Sequence, residues 1–347
     1  MAQLPAETPS MIVGIDIGGT KMSAAGVFLP HAQATAELLA VCQVATPEST
    51  EAFFDALVSL VTNVRQQLKD ASKPEPTAIG IAVAGMVNPH RGEIVGSTAN
   101  LRAVTTHPFP IAATLSERVG LPTLAENDAN AAAYGEFRAG VAMGAQHVLM
   151  ITLGTGVGGG LVVNGQLIHG AGFSTGEVGH ITLGLTPDRQ CTCGRWNCWE
   201  AYASGTGLAH STRQALKQQP ETEGAVAIHQ HQPIETIGTH ALMDAFANGN
   251  PLAKTIIADW HTHIAEGLGS LMNVLDPDMA VIGGGLAKFV DMPLLLEKLG
   301  KRCMAPVAPH RVVKAQLGNK AGMVGAACLA LNRYTETNPS LTEALRG

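Results

Sequence analysis

The chain has 347 residues, 46% of them hydrophobic and only 14% charged, enough for two domains with cores of their own and incompatible with a disordered protein. Its 22 basic side chains are outnumbered by 28 acidic ones, for a formal net charge of −6, so the basic balance of a nucleic-acid binder is missing and no nucleic-acid partner is expected. No stretch nears the ~20 uninterrupted apolar residues of a membrane span, and the amino terminus MAQLPAETPS lacks a basic region followed by an apolar core, which predicts a cytoplasmic protein without membrane association.

The first apolar run, MIVGIDI (11–17), predicts a strand that ends in Gly18-Gly19-Thr20-Lys21 and pairs with a second strand, MSAAGVFL (22–29), as a glycine-turned hairpin. Leu38 to Thr46 predicts a third strand. Ser49, with Glu51 soon after, opens a helix whose Phe53, Leu57, Leu60, Val61, Val64 and Leu68 recur at helical spacing, ended by Pro74 and Pro76. A buried strand follows at 77–85, then a looped region to about 110, a helix over 111–119 and a short strand TLAEN at 123–127. The alanine-rich run from Asp128 predicts a helix, and HVLMITLGTGVGGGLVV (147–163) repeats the strand, glycine turn, strand pattern of 11–29. That repetition points to duplicated α/β domains facing a cleft, each with one phosphate-sized loop. Helices are expected at 199–217, 236–247 and 251–274, the last stopped by Asp276-Pro277, with 218–235 a polar surface loop. A strand at 279–285 carries a third glycine cluster, and a helix near 319–333 closes the fold.

Gly18, Gly19 and Thr20 form one turn without bulky side chains, and Gly154, Thr155, Gly156 and Gly158 to Gly160 form another. In such turns peptide N–H groups and threonine hydroxyls can point at phosphate oxygens. Neither matches the P-loop spacing or the dinucleotide fingerprint, and either alone also reads as a tight hairpin; the pair together favours a polyanion. Gly283-Gly284-Gly285 suits close approach of a nucleoside or close packing. Asp128, at the end of a strand, reads as a helix cap or as a base that takes a proton from an alcohol. In phosphoryl transfer such a base works while Mg2+ and loop N–H groups absorb charge on the phosphate. Asp16 reads as a structural strand-end residue or as a carboxylate that reaches Mg2+ through water.

Six cysteines occur, and Cys191, Cys193 and Cys198 fall within eight residues. With His180 they make a closed tetrahedral set for Zn2+, which leaves no position for a reactive water and so predicts a structural metal. His180 lies in Glu177-Val178-Gly179-His180 rather than in H-E-x-x-H, which disfavours hydrolytic zinc chemistry. Its second ring nitrogen stays available to a carboxylate, a carbonyl or a ligand hydroxyl. Glu177, Glu200, Asn127 and Asn100 are planar polar groups of the kind a polyol pocket requires, although each also reads as a surface or capping residue. His229, His231, His261 and His263 have no cysteine or carboxylate cluster beside them and are expected to be solvated.

DIGGTK (16–21), ENDANAAAYGE (126–136), LGTGVGGG (153–160), GEVGH (176–180) and CTCGRWNCWEAYASG (191–205), in this order, resemble the ROK family of sugar kinases and sugar-responsive repressors, most closely its glucokinase branch. The resemblance runs from about Met11 to about Gly325. It implies an actin-like, hexokinase-type (ribonuclease H-like) α/β fold of two domains flanking a cleft. The smaller domain covers 11–126, completed by a C-terminal helix at 319–340, and the larger covers 127–318 with a zinc loop at 180–198. It also implies a homodimer or homotetramer that uses ATP and Mg2+, with structural Zn2+ on His180, Cys191, Cys193 and Cys198. Asp128 is implied as general base toward the 6-hydroxyl of a hexose, with Asn100, Asn127, Glu177, His180 and Glu200 as sugar contacts. Asp16, Gly18, Gly19, Thr20, Lys21, Gly154, Thr155, Gly156, Gly158 and Gly284 are the implied ATP-binding residues.

Thr192 and Asn197 stand where the family's C-G-C-G-x-x-G-C pattern has glycines; Asn tolerates left-handed backbone, so zinc binding is expected to survive. Ala84 replaces a commoner proline, and STANLRAV (97–104) lacks the usual aromatic after its Asn-Leu. Both segments flank the implied sugar pocket and bear on the choice among hexoses. The rivals to a glucokinase are an N-acylhexosamine kinase (N-acetylglucosamine or N-acetylmannosamine) and a fructose or mannose kinase, with polyphosphate as an alternative donor. A sugar-responsive repressor is disfavoured because only ten residues precede the first strand, too few for a helix-turn-helix. A purely structural zinc protein would leave both phosphate-shaped turns and the strand-end Asp unexplained.

Overall fold

A computed structural model of the chain describes residues 10–29, 35–96, 101–304 and 309–337. In chain order the elements begin with β1 (Ser10–Ile17), β2 (Lys21–Leu29), β3 (Glu37–Ala45), α1 (Thr50–Asp70), β4 (Ile79–Val83), β5 (Val87–Asn88) and β6 (Glu93–Ile94). There follow α2 (Ile111–Val119), β7 (Thr123–Asn127), α3 (Asp128–Ala139), β8 (Val148–Leu153), β9 (Val157–Val163), β10 (Gln166–Leu167) and α4 (Glu200–Ala203). The chain continues with α5 (Gly205–Gln218), α6 (Glu223–His229), α7 (Thr239–Ala247), α8 (Pro251–Leu275), β11 (Met279–Gly283), α9 (Met292–Gly300), β12 (Val312–Lys314) and α10 (Ala321–Thr337).

Two compact units result, one formed by Met1–Met150, Gly160–Gly176 and Ala315–Gly347, the other by Ile151–Gly159 and Glu177–Lys314. In the first, a five-stranded sheet has the order β3-β2-β1-β4-β7. The expected hairpin is present, with β1 and β2 antiparallel and Asp16 opposite Ser23, while β4 and β7 run parallel to β1. Strand alternation sends Met11, Val13, Ile15 and Ile17 into one core with Phe53, Leu57, Leu60, Val64 and Leu68 of α1. Asp16 therefore points to the other face, which is covered by α10. There the packing is backbone to backbone: a Cβ at Gly80 would lie 2.0 Å from Ala326 O, so only glycine lets the helix settle on β4. Ser49 occupies the cap position of α1 but its hydroxyl makes no capping bond, and Glu51 is taken by Arg118 instead.

The second sheet has the order β10-β9-β8-β11-β12. The helix expected over 199–217 is broken at Ser204, a wholly buried residue whose hydroxyl accepts from Gly207 N–H and caps α5. The stretch 218–235 is not a plain loop: Thr222 caps α6, which buries Ala225 and Ile228. β5, β6, α9 and β12 were not foreseen, the first two lying inside the segment expected to be looped. His261 is wholly buried rather than solvated, its Nδ1 2.7 Å from Ile257 O and its Nε2 accepting from Asp291 N–H. Burial holds its pKa below the ordinary imidazole value. His263 is likewise partly buried, its ring 5.2 Å from that of Tyr202. Among the described residues, no helix is long and apolar enough to cross a membrane.

Candidate active site and metal centre

In the first unit, Asp16 is the penultimate residue of β1 and Asp128 starts α3 immediately after β7, so parallel strand ends deliver both carboxylates. The capping role falls to Asn127, whose Oδ1 accepts from Ala129 N–H and Asn130 N–H while its amide donates to Gly85 O at 3.0 Å. Asp128 is thereby released from capping. One of its oxygens accepts from Ala129 N–H at 2.9 Å, and the side chain remains open to solvent. Protein packed around that carboxyl still displaces enough water to push its pKa up, with the Ala129 N–H opposing the shift. Asp16 is pushed up to about 6, first by burial and then by the charge of Asp128, against the pull of Lys21. The turn between β1 and β2 closes with Gly18 N–H donating to Lys21 O, and the Thr46 hydroxyl donates to Gly18 O at 2.7 Å. Gly19, Thr20 and Lys21 are exposed. Asn100 lies outside the described residues.

In the second unit, Glu177 is exposed and precedes the single 3-10 turn Val178–His180. His180 turns one ring nitrogen toward Cys191 Sγ, 3.9 Å from Nδ1, and the other toward Glu177, with Nε2 3.7 Å from Oε2. The ligand atoms of His180, Cys191, Cys193 and Cys198 all lie within 4.8 Å of one another, with 3.7 Å between the sulfurs of Cys193 and Cys198. Tetrahedral Zn–S and Zn–N bonds of ~2.0–2.3 Å produce separations of this size. The four residues can hold a metal ion. Asn197 takes up φ of 57° and its side chain is fully used: Oδ1 accepts from Asp188 N–H, Arg189 N–H and Tyr202 O–H, and the amide donates to Thr186 O. An asparagine in the glycine position thus supplies both the left-handed turn and the wiring of the loop.

Glu200 joins this loop to the second glycine turn. Its Oε1 accepts from the Thr192 hydroxyl at 3.2 Å and lies 3.5 Å from Cys191 Sγ, while its Oε2 accepts from Val157 N–H at 3.0 Å. A Cβ on Gly156 would come within 2.3 Å of that oxygen. Gly158 lies within β9, next to the turn. Gly205 N–H donates to Gly154 O, and the Thr206 hydroxyl to Thr155 O. Gly284, with φ of 85°, backs directly onto Leu153, where a Cβ would meet the carbonyl oxygen at 2.4 Å. Gly154, Thr155 and Gly285 border a cavity of about 890 Å³, whose remaining wall includes Thr206, Arg213, His240, Met243, Lys288 and Phe289. Sequence reasoning missed these last six. They come in pairs from α5, α7 and the 3-10 turn Ala287–Phe289, and only Thr206, next to the YASG run, adjoined a motif.

The sheets, the turn between each first strand pair and the placement of the carboxylates define an α/β fold of the hexokinase type. Residues 12–333 match the ROK family. The chain is 37% identical over 328 residues to a glucokinase of Streptomyces coelicolor, covering 92% of this chain and 97% of that protein. It is 33% identical to an N-acetyl-D-glucosamine kinase of Salmonella gallinarum, covering 92% of this chain and 99% of the other. A crystal structure of a ROK family glucokinase from Streptomyces griseus, in complex with glucose and AMPPNP, matches with a TM-score of 0.73 at 32% identity, covering 93% of this chain and 100% of that one. The chain belongs to the ROK family, and its likeness to the glucokinase branch, expected from five motifs, is borne out.

Proposed function

We propose that this ROK protein is an ATP-dependent sugar kinase that converts glucose into glucose 6-phosphate. The observation that carries the mechanism is the placement of Asp128: a carboxylate at a strand end, open to solvent, relieved of capping by Asn127, with one oxygen held by Ala129 N–H. Its raised pKa strengthens it as a base near neutral pH. Asp128 accepts the proton of the primary hydroxyl as the sugar oxygen bonds to the γ-phosphorus and the bond to the β-phosphate oxygen breaks, with ADP leaving. The N–H groups around Gly18 and Gly154 supply donors for phosphate oxygens, and the cavity beside Thr155 and Phe289 has room for the nucleoside. Asp16 is the residue of this chain to hold Mg2+, which when bound neutralises charge on the transferred phosphoryl group. Glu177, Glu200 and the free edge of His180 present acceptors and a donor for sugar hydroxyls.

The metal is proposed to be Zn2+ in a structural role. Burial and the neighbouring sulfurs push the Cys198 thiol up to about 12, and a bound Zn2+ would reverse that by holding the sulfurs as thiolates. Cys193→Ser is expected to lose stoichiometric zinc and to raise the sugar KM, since Glu200 leans on the same loop; metal analysis beside a glucose titration checks both.

Asp128→Asn is expected to keep ATP binding and lose at least ~10²-fold in kcat, the low end of what a positioned base contributes. Turnover near that of the unmodified protein would refute the assignment. The relative acting on N-acetyl-D-glucosamine supports one second reading. Comparing kcat/KM for glucose and N-acetylglucosamine decides between them.

A further inference from the structure

Two residues before Asp128 lies a carboxylate that the proposed chemistry does not use. Glu126 is 1% exposed. Its Oε1 accepts from Asn127 N–H at 2.9 Å and from the Asn130 side-chain amide at 3.1 Å. Its Oε2 lies 2.7 Å from Nε2 of His169. Being a buried acceptor, the carboxylate fixes the imidazole tautomer with a proton on Nε2. Leaving such a carboxylate without donors is costly, so the contact has to be satisfied for β7 to hand over to α3 in this geometry.

His169 reaches Glu126 from a different part of the same unit, the segment after β10. Its backbone carbonyl accepts from Thr175 N–H, closing the loop 169–175. Its ring also stands 6.4 Å from that of His90, and His90 is 6.2 Å from Phe173. One clamp therefore holds three things: the end of β7 through Asn127 N–H, the first turn of α3 through Asn130, and the 169–175 loop through the imidazole. In the chain Asp128 sits between the two residues that Glu126 holds, Asn127 by its backbone N–H and Asn130 by its side-chain amide.

We infer that His169 is a positioning residue for phosphoryl transfer, which acts through Glu126 to fix the direction in which Asp128 presents its free oxygen. The inference rests on Asp128 being the base, and it deepens that reading by naming what aims it. Misplacing a reacting group by ~1 Å can cost ~10²-fold, so the effect belongs in kcat.

The test uses the full-length enzyme with ATP and glucose. His169→Phe fills similar space without a donor and is expected to lower kcat ~10- to 100-fold, with the glucose KM within about threefold. His169→Gln, whose amide can still donate to Glu126, is expected to recover most of that loss. Glu126→Gln is expected to lower kcat similarly, and combining it with His169→Phe to add little, because both break one clamp. Should the Phe variant fail to fold, His169→Asn, too short to span the contact, replaces it in the same cycle. A phenylalanine variant with unchanged kcat, a glutamine variant as impaired as the phenylalanine one, or strictly additive losses would overturn the inference. A lower unfolding temperature with kcat per folded molecule intact would overturn it too, since that marks a purely structural residue. Asp128→Asn keeps the two readings apart: if it is inactive while His169→Phe is normal, the base survives and only the clamp is lost.

Discussion

The two glycine turns look alike in sequence and are held quite differently. Between β1 and β2, Gly18 to Lys21 close on themselves and meet the rest of their unit through Thr46, whose hydroxyl and N–H bond Gly18 O and Thr20 O. Between β8 and β9, Gly154 O and Thr155 O accept from Gly205 N–H and the Thr206 hydroxyl, and Glu200 accepts from the N–H of Val157 just after the turn, with Gly284 pressed against the preceding Leu153. Similar strand–glycine–strand patterns thus carry different mechanical constraints. The first is an exposed turn, and the second borders a cavity and is coupled to the metal loop by one carboxylate.

The largest effect that sharpens this contrast is expected at Glu200. Glu200→Gln removes the charge from the acceptor that holds Val157 N–H and Thr192, and hydrogen bonds to charged groups contribute ~1.5–3 kcal/mol. A loss of ~10- to 100-fold in kcat/KM follows, shared between the ATP and glucose KM values because the strut touches both sides. If only the glucose KM moves, the coupling to the turn is wrong. Next come the glycines. Gly284→Ala places a Cβ against Leu153 O at a φ of 85° and is expected to destabilise by ~2–4 kcal/mol. Gly18→Ala meets only Lys21 O at 3.4 Å and should stay within ~0.5 kcal/mol in stability while weakening ATP binding. Equal unfolding midpoints in urea for the two variants would break the comparison.

The smallest effect concerns Asp16. Its carboxyl titrates at about 6 in the folded protein against 3.8 as the ordinary value, so between about pH 4 and 6 the folded state holds a proton that the unfolded state has released. Stability therefore falls as pH rises through that window, and the cost is complete above pH 6. Asp16→Asn should be more stable than the unmodified protein by ~1–2 kcal/mol at pH 7, discounted for partial exposure, with no difference below pH 4. Urea unfolding across pH measures this, and a gap that widened on acidification would reverse the sign. Adding Asp128→Asn should narrow the gap by removing one of the causes.

Periodicity made most of the scaffold readable in advance. The β1–β2 hairpin, α1 with its buried stripe, the limits of α2 and β7 and the start of α3 all follow from local spacing and turn chemistry, because each is decided by residues within a few positions of one another. The metal set was legible for a related reason, since three of its four ligands share one short loop. Where local rules misled, tertiary packing had intervened: buried Ser204 splits one helix into two, Ala225 and Ile228 bury a helix where polarity suggested a loop, and His261 finds partners in Ile257 and Asp291.

By itself, then, the amino-acid order determined which strands turn on glycine, where a carboxylate ends a strand and which thiols gather around one imidazole. Only the folded chain decided which of Asn127 and Asp128 would cap α3, that Glu200 would brace the second turn, that Glu126 would be answered by His169, and that six scattered side chains would share one cavity. Those pairings join residues many positions apart, and no periodic pattern encodes a partner that is supplied by another element's packing.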